Sequence, residues 1–322
     1  MTMPARLHFC WIGTSLPWAY VFAVMSAAEK SGLADIVLHH TDTLEPGEQL
    51  AALTGTPGVR LQRIDPEDCL TRAGGMLGLG GELVSLYHRL NAPVMRSDVL
   101  RAAILYLHGG IYLDLDTVTV ASLLPLIQER QFVGSEFIVW PHAVRTSRSP
   151  IVWARHLTLD LARKLCRRWP GGWKGFRWIE TAYARNVNNA VMGAEANSEL
   201  FADYLRAMVA LPAERQVRRY GLGPHLLARV VDAAPDRAVI VHRPSVFYPL
   251  APEISEHWFR RVRRVPLGLV LSPDTRVVHW YASVRTKALV ATITPDYIRA
   301  NRKRQLYSAL VWSCVGRLPE AA

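Results

Sequence analysis

Residues 111–116 read Ile-Tyr-Leu-Asp-Leu-Asp, and this stretch decides the fold prediction. Side chains alternate between the two faces of a β-strand, so a strand over Ile111–Val120 would place Asp114 and Asp116 on one face and the leucines on the other. Two carboxylates so close repel each other unless a cation or an arginine lies between them. Mg²⁺ and Mn²⁺ bind carboxylate oxygens together with water and phosphate. The stretch therefore predicts a strand whose acidic face holds a divalent cation and a phosphorylated ligand.

A predicted helix leads into this strand. Pro93–His108 has a proline suited to a first turn, apolar residues along its length and two glycines after its end. Asp98 and Arg101 are three residues apart and share one face near the start of this helix. They form either a plain ion pair within the helix or, because the connection is short, one wall of a pocket shared with Asp114.

The rest of the chain alternates strand-like and helical stretches, which is typical of an α/β sheet. The predicted strands are Leu7–Ile12, Asp35–His39, Val59–Ile64, Ala238–His242 and Arg276–Trp280, and the further helices are Trp18–Ser31, Ser198–Ala210 and Pro224–Val231. Trp140–Trp178 is rich in tryptophan and arginine and has poor periodicity, which indicates a helical or loop-rich insertion. Gly74–Gly81 fits neither the dinucleotide fingerprint nor the P-loop spacing, so it is interpreted as a mobile loop.

Composition limits the class of protein. Half of the 322 residues are hydrophobic, enough for a sizeable core, and the four cysteines are too widely spaced for a zinc ribbon or a disulfide scaffold. We expect reduced thiols in a cytoplasm. The net charge is +11, mostly from arginine, which suits nucleotide phosphates, nucleic acid or an anionic membrane surface, unless it is only compositional drift. The cluster Arg260–Arg264 lies in no recognisable nucleic-acid module, so no nucleic acid partner is expected.

No membrane span or secretion signal is predicted. The chain passes from Arg6 directly into an apolar strand, and no apolar run reaches the roughly 18 residues of a span. Leu306–Val315 is short and interrupted by serines, so we expect a terminal helix that packs on the body or rests on lipid. The expectation is a soluble cytoplasmic protein, with peripheral contact to the anionic inner face of the membrane left open.

At this point the chain resembles the nucleotide-sugar glycosyltransferases with a D-x-D motif. This group includes α-1,4-galactosyl- and N-acetylglucosaminyltransferases, Och1-like mannosyltransferases and the glucosylating domains of clostridial toxins. The resemblance covers most of the chain, in matching order. It is carried by His8–Gly13, Ser97–Arg101, Tyr106–Asp116, Asn188–Met192, Gly223–Leu227, Phe247–Pro249 and Val278–Trp280.

The resemblance implies a GT-A fold, which is a Rossmann-like α/β sheet with helices on both faces that holds the donor at its carboxyl edges, plus the insertion. It implies one domain over residues 1–322, with a nucleotide-sugar-binding half at 1–130 and an acceptor-side half at 131–322. The implied reaction retains the anomeric configuration and uses Mn²⁺ or Mg²⁺ and a nucleotide-sugar, in particular a UDP-sugar. The acceptor would be a glycan, a glycolipid or a small molecule, and the donated sugar stays open.

The resemblance also implies roles for individual residues. Trp11 would stack on the base, Ser97 would help hold the nucleoside, and Asn189 would touch the transferred sugar. Asp98 and Arg101 would hold ribose and sugar hydroxyls beside Asp114, so that Arg101, Asp114 and Asp116 form the catalytic group. Asp116 would bind the metal directly, with Asp114 and His279 completing the metal-binding set.

The chain departs from the family pattern near its carboxyl end. Tyr281–Val284 follows His279-Trp280 where a Ser-Trp ending is usual, and His279 stands near the place where the toxins offer a carboxylate. No carboxylate nucleophile is obvious, and Glu136 and Glu180 are candidates only as acidic residues of the middle segment.

Two other functions compete with this interpretation. Paired carboxylates are also the hallmark of glycoside hydrolases, but hydrolase acids flank the sugar and usually come from different elements, whereas this pair is predicted on one strand face. The second alternative is a basic protein that binds nucleic acid or lipid without catalysis, for which a steep salt dependence of binding would be diagnostic. Trp169–Trp178 could form an aromatic platform for a sugar acceptor, or it could pack within the insertion.

Overall fold

The computed structural model describes residues 3–218, 220–233, 238–284 and 286–319, and its largest element is a seven-stranded sheet. The described residues form nine strands: β1 Arg6–Trp11, β2 Asp35–His40, β3 Val59–Arg63, β4 Gly110–Leu113, β5 Thr117–Thr119, β6 Gln131–Ile138, β7 Ala184–Ala194, β8 Ile240–His242 and β9 Val277–His279. The large sheet has the order β3-β2-β1-β4-β7-β6-β8, and β5 pairs with β9 in a separate two-stranded sheet. Strand β7 runs antiparallel to both of its neighbours, whereas the other pairings in the large sheet are parallel.

Helices connect the strands. They are α1 Trp18–Lys30, α2 Glu48–Thr54, α3 Pro66–Leu77, α4 Glu82–Arg89, α5 Pro93–His108, α6 His142–Thr146, α7 Pro150–Arg168, α8 Trp173–Ile179, α9 Glu199–Ala210, α10 Ala213–Gln216, α11 Pro224–Asp232, α12 Pro244–Phe247, α13 Leu267–Val270, α14 Lys287–Val290, α15 Pro295–Asn301 and α16 Leu306–Cys314. Short 3-10 helices lie at Leu126–Gln128, Glu180–Ala182 and Pro252–Trp258.

The helices pack against the two faces of the sheet, and each face has its own hydrophobic core. One core joins α1 and α16 to residues of β1, β2, β4 and β9. The other joins α3, α4, α5, α9 and α11 to residues of β4, β6 and β7. Consecutive residues of the central strands are buried in alternate cores, as Ile111 and Leu113 are in the first and Tyr112 is in the second, so the sheet is covered on both faces. The predicted α/β sheet with helices on both faces and a helical insertion is confirmed.

Several predicted elements lie within about two residues of their expected ends, as usual for element boundaries. They are β1, β2, β3, β8, β9, α1, α5, α9 and α11. Helix α16 packs on the body, since Leu306, Tyr307, Leu310, Val311 and Cys314 are buried in the first core. Within the described ranges, no helix is both long enough and apolar enough to cross a membrane.

The prediction of one continuous strand over Ile111–Val120 is wrong. The chain leaves β4 at Leu113, turns at Leu115 and Asp116, and enters β5 at Thr117, where it pairs with another sheet. The two aspartates therefore do not project from one face of one strand. Buried Leu115 lies between them at the turn.

The predicted mobile loop over Gly74–Gly81 is also wrong in its first half. Gly74–Leu77 form the last turn of α3, which ends at Gly78 in a left-handed conformation. A Cβ at Gly74 would lie 2.4 Å from the carbonyl oxygen of Gly80, so this helical position has room only for glycine. Gly74 therefore permits a close backbone approach.

Candidate active site

The site lies where β4 ends. Asp114 is the first residue after β4, and its backbone N–H donates to the carbonyl of Ala190 on β7 over 2.8 Å. The turn that follows leads into β5, whose Thr117 is in register with His279 of β9. Pairing of β5 with β9 thus brings His279 to the aspartates across more than 160 residues of sequence.

Asp114, Asp116 and His279 form a cluster, which we name the acidic trio. One side-chain ligand atom from each lies within 4.8 Å of the others. Asp116 Oδ1 and His279 Nε2 are 2.9 Å apart, and Asp116 Oδ2 accepts the backbone N–H of Ala282 over 2.7 Å. The side chains of Asp114 and Asp116 keep 22% and 15% of their surface exposed, so a ligand from solvent can reach both carboxylates.

The two carboxyls have different electrostatic environments. Burial raises the pKa of Asp114 to about 6, with Asp116 adding to the rise and the Arg101 guanidinium opposing it. Burial also acts on Asp116, but the charge and hydrogen bond of His279 and the N–H of Ala282 outweigh it and lower the pKa of Asp116. Asp116 is therefore the more readily ionised of the pair.

Arg101 connects α5 to the acidic trio. Its Nη1 lies 2.8 Å from Asp114 Oδ1 and donates to Asp114 Oδ2 over 3.0 Å. Arg101 Nη2 lies 3.4 Å from Asp98 Oδ1 and donates to Ser97 Oγ over 3.3 Å. Arg101 is 4% exposed and Asp98 is 6% exposed. Asp98 and Arg101 therefore form the ion pair within the helix that was one interpretation. The same two residues also form a wall of the site beside Asp114, which was the other.

Asn189 closes this network from β7. Its Nδ2 donates to Asp98 Oδ1 over 2.8 Å, and its carbonyl accepts from Arg101 Nη1 over 3.0 Å. Burial raises the pKa of Asp98, while Arg101 and the Asn189 amide oppose that rise. Asp98, Arg101, Asn189 and Asp114 thus form one continuous hydrogen-bonded group.

Trp11 lies at the end of β1, at the same edge as Asp114. Strand β1 runs parallel to β4 with His8 in register with Tyr112, so the two strands end side by side. The Trp11 ring lies 5.2 Å from the Tyr20 ring, which in turn stacks on Trp280 at 6.4 Å. Among the described residues, Trp11 Nε1 and His279 Nδ1 are buried nitrogens without a hydrogen-bond partner.

The structure adds residues that the sequence analysis missed. Tyr112 donates its hydroxyl to Asp114 Oδ1 over 2.9 Å, and a two-residue period within the motif could have indicated it. Gly223 precedes α11, and a Cβ there would lie 3.2 Å from Asp98 Oδ2. The close approach of Gly223 to Asp98 does not follow from the pattern of residue types alone.

Of the two acids suggested as nucleophiles, Glu136 lies beside the acidic trio and Glu180 lies at the end of the insertion. Glu136 Oε2 accepts the hydroxyl hydrogen of Tyr281 over 2.8 Å, and its charge acts on His279. Burial raises the pKa of Glu136, opposed by hydrogen bonds from Asn188 and Tyr281. Burial raises the pKa of Glu180, and the charge of Arg177 on α8 opposes that rise.

Comparison with known proteins identifies the class of this site. Residues 77–133, which include Arg101 and both aspartates, match the family described as the glycosyltransferase sugar-binding region containing a DXD motif. No protein of curated function matches the chain in sequence. The resemblance to D-x-D glycosyltransferases is confirmed over residues 77–133, and this match supports a glycosyltransferase enzyme.

Solved structures with a related fold are also glycosyltransferases by description. The glycosyltransferase PaToxG is 14% identical, with 73% of this chain and 71% of that chain covered and a TM-score of 0.47. The UDP-bound glycosyltransferase domain of the YGT toxin is 10% identical, with 75% and 79% covered and a TM-score of 0.43. Mouse xyloside xylosyltransferase 1 is 12% identical, with 85% and 96% covered and a TM-score of 0.44.

Proposed function

We propose that this glycosyltransferase moves a sugar from a nucleotide-sugar of the UDP class to an acceptor hydroxyl, with a divalent cation and with retention of configuration. The observation that carries the proposal is the acidic trio, whose ligand atoms converge within 4.8 Å at the end of β4. Ligands of open α/β sheets bind at the carboxyl ends of the strands, and this is where the trio lies.

The donor set fits a divalent cation. Two carboxylates and one imidazole suit Mn²⁺, while Mg²⁺ prefers oxygen ligands alone. Asp116 and His279 would bind the cation directly, because their ligand atoms lie within 4.8 Å of each other and of Asp114. The cation would replace the 2.9 Å hydrogen bond that joins Asp116 Oδ1 to His279 Nε2. A bound cation would neutralise the charge that develops on the leaving diphosphate.

The chain's own residues would hold the donor around that centre. Arg101 orients the Asp114 carboxylate through both of its oxygens, and Asn189 fixes the carboxylate of Asp98. These buried groups cannot rotate freely, so hydroxyls of ribose and sugar would meet acceptors held at fixed positions. Trp11 and Ser97 border the same edge of the sheet and are proposed to contact base and nucleoside.

Retention is proposed without a covalent enzyme intermediate. The acceptor hydroxyl would attack from the face that the diphosphate leaves, and a diphosphate oxygen would take its proton. The carboxylate of Glu136 accepts a hydrogen bond from the Tyr281 hydroxyl inside the protein, which supports a positioning role for Glu136. The acceptor, a glycan, glycolipid or small molecule, would approach from the half formed by residues 131–322.

A thermal-shift screen of nucleotide-sugars with and without Mn²⁺ tests this function. Ligand at 100 times its Kd stabilises a protein by about 2.7 kcal/mol, which raises the melting temperature measurably. We expect a UDP-sugar to stabilise the chain when Mn²⁺ is present and to lose most of this effect with chelator. Equal shifts with and without Mn²⁺, or no shift with any nucleotide-sugar, would contradict the proposal.

A further inference from the structure

The fully buried residues of helix α7 in the insertion are all polar or charged, and Leu159 and Cys166 are its partly buried apolar residues that pack against the core. His156, Asp160 and Arg163 lie on one face of the helix and are 7%, 7% and 8% exposed. His156 Nδ1 lies 2.8 Å from the carbonyl oxygen of Val139, and Arg163 Nη1 donates to Glu253 Oε2 over 2.7 Å. Arg163 also pairs with Asp160. Buried hydrogen bonds and ion pairs therefore hold α7 to the body.

The exposed side of α7 carries a stripe of leucines together with Arg155, Lys164 and Arg168. Leu157, Leu161 and Leu165 recur every four residues and are 56%, 59% and 46% exposed. The helices on the surface of soluble domains show the reverse arrangement, with the apolar stripe toward the core. We define the α7 face by its exposed apolar side chains and those of the adjoining segments: Ile151, Leu157, Leu161, Leu165, Trp169 and Trp178.

The α7 face is flanked by positive charge. Residues 139–179 contain nine lysines and arginines, and their only carboxylate side chain is that of Asp160, which is buried. Arg145 and Arg148 are exposed just before the helix. At its other end, Arg260 Nη1 donates to the carbonyl of Arg168 over 2.9 Å, which brings the arginine cluster 260–264 to the same place.

We propose that the α7 face docks the enzyme on the surface of an anionic lipid bilayer. An exposed apolar stripe with basic flanks and tryptophans is the composition of helices that lie in the membrane interface. The leucines would enter the boundary between headgroups and acyl chains, while the arginines would contact lipid phosphates. A second copy of this chain fits poorly, because two faces of the same strong positive charge would repel.

This docking is separate from the donor site. Helix α7 lies in the insertion between β6 and β7, whereas the acidic trio is built from the ends of β4 and β9. The inference therefore does not rest on the proposed nucleotide-sugar chemistry. Loss of membrane binding would leave nucleotide binding intact, and loss of nucleotide binding would leave membrane binding intact.

Flotation of the purified full chain with lipid vesicles tests the proposal. Vesicles of phosphatidylcholine alone are compared with vesicles that contain about 30% phosphatidylglycerol, at about 0.1 M and about 0.5 M salt. We expect the chain to float with the anionic vesicles at low salt, and to do so less at high salt. Absence of flotation with the anionic vesicles would overturn the proposal.

Variants distinguish membrane binding through the α7 face from nonspecific adsorption of the protein to lipid. Replacing Leu157→Gln, Leu161→Gln and Leu165→Gln together keeps helix-favouring residues and should lower bound protein at least about tenfold, because buried methylene groups drive interfacial binding. Met76→Gln removes a side chain that is 56% exposed on α3, and it should float like the unchanged chain. Unchanged flotation of the triple variant would overturn the proposal.

Two further measurements keep the test decisive. The melting temperature checks that the triple variant is folded; if it is not, Arg263→Gln with Arg264→Gln is used, and it should weaken flotation on anionic vesicles. Light scattering reports the oligomeric state. A dimer that the leucine substitutions convert to a monomer, with no flotation of either protein, would assign the α7 face to self-association and overturn the proposal.

Discussion

Arg101 Nη1 lies 2.8 Å from Asp114 Oδ1 and 3.0 Å from Asp114 Oδ2, which ties helix α5 to the turn that carries the D-x-D motif. The same guanidinium also faces Asp98, so one buried cation balances the buried carboxylate of Asp98 and the partly exposed carboxylate of Asp114. This arrangement makes Arg101 both a structural and an electrostatic centre of the site.

Removal of the Arg101 guanidinium should destabilise the fold. Arg101→Ala leaves Asp98 and Asp114 without their counter-charge, and breaking a buried pair by deleting one partner costs about 3–5 kcal/mol. Arg101→Lys keeps the charge but loses the paired donors, so its loss should be smaller. Urea unfolding measures both, and an Arg101→Ala protein as stable as the unchanged chain would contradict this view of the site.

His279 should control the response to the cation. Loss of a metal ligand, or of the partner that orients one, typically costs 10–100-fold in metal affinity, so His279→Gln should raise the Mn²⁺ concentration needed for half-maximal UDP binding by about that factor. His88→Gln, in an exposed histidine on α4, serves as the control. Equal Mn²⁺ dependence in His279→Gln and the control would remove His279 from the site.

Gly223 should be required by the close approach of α11 to Asp98. A Cβ at this position would lie 3.2 Å from Asp98 Oδ2 and 3.5 Å from Asn189 Nδ2, so Gly223→Ala should displace this pair at a cost of about 1–3 kcal/mol. Gly75→Ala is the matched control, because a Cβ there meets nothing within 4 Å and alanine favours the helix. We expect lower donor affinity only in Gly223→Ala, measured by titration calorimetry; equal affinities would refute the expected role of this contact.

Glu136 should act by positioning. Glu136→Gln keeps an acceptor for the Tyr281 hydroxyl and loses only the charge, so turnover should fall by about tenfold, the equivalent of about 1.4 kcal/mol. If Glu136 were a nucleophile, the substitution would remove transfer while UDP binding persisted. Steady-state rates with binding measured in parallel distinguish the two roles.

The first half of the fold could be predicted because its hydrophobic periods are regular. Strands β1 to β3 and helix α5 follow from alternating apolar runs and from the proline and glycines that bound α5. The prediction of one D-x-D strand was wrong because β4 and β5 are both short, fully buried and composed largely of β-branched and aromatic residues, so the two strands resemble one continuous strand. The two strands are distinct because β4 pairs with β1 and β7, whereas β5 pairs with β9.

Helix α7 could not be predicted from amphipathic patterns. Its fully buried residues are polar or charged and its exposed side carries a stripe of leucines, so an analysis that expects apolar residues inside finds poor periodicity in Trp140–Trp178. The contact of His279 with Asp116 is likewise invisible in the sequence without the family resemblance. It depends on the pairing of β5 with β9, which joins segments far apart in the chain.

Binding of UDP to Asp116→Asn in the presence and absence of Mn²⁺, followed by calorimetry, tests the central claim most directly. Asp116→Asn keeps the size of the side chain and an acceptor for the Ala282 N–H, and Asp296→Asn, in an exposed aspartate of α15, is its control. The account predicts that Mn²⁺ strengthens UDP binding to the unchanged chain and to the control but not to Asp116→Asn. Equal strengthening by Mn²⁺ in all three proteins would contradict it.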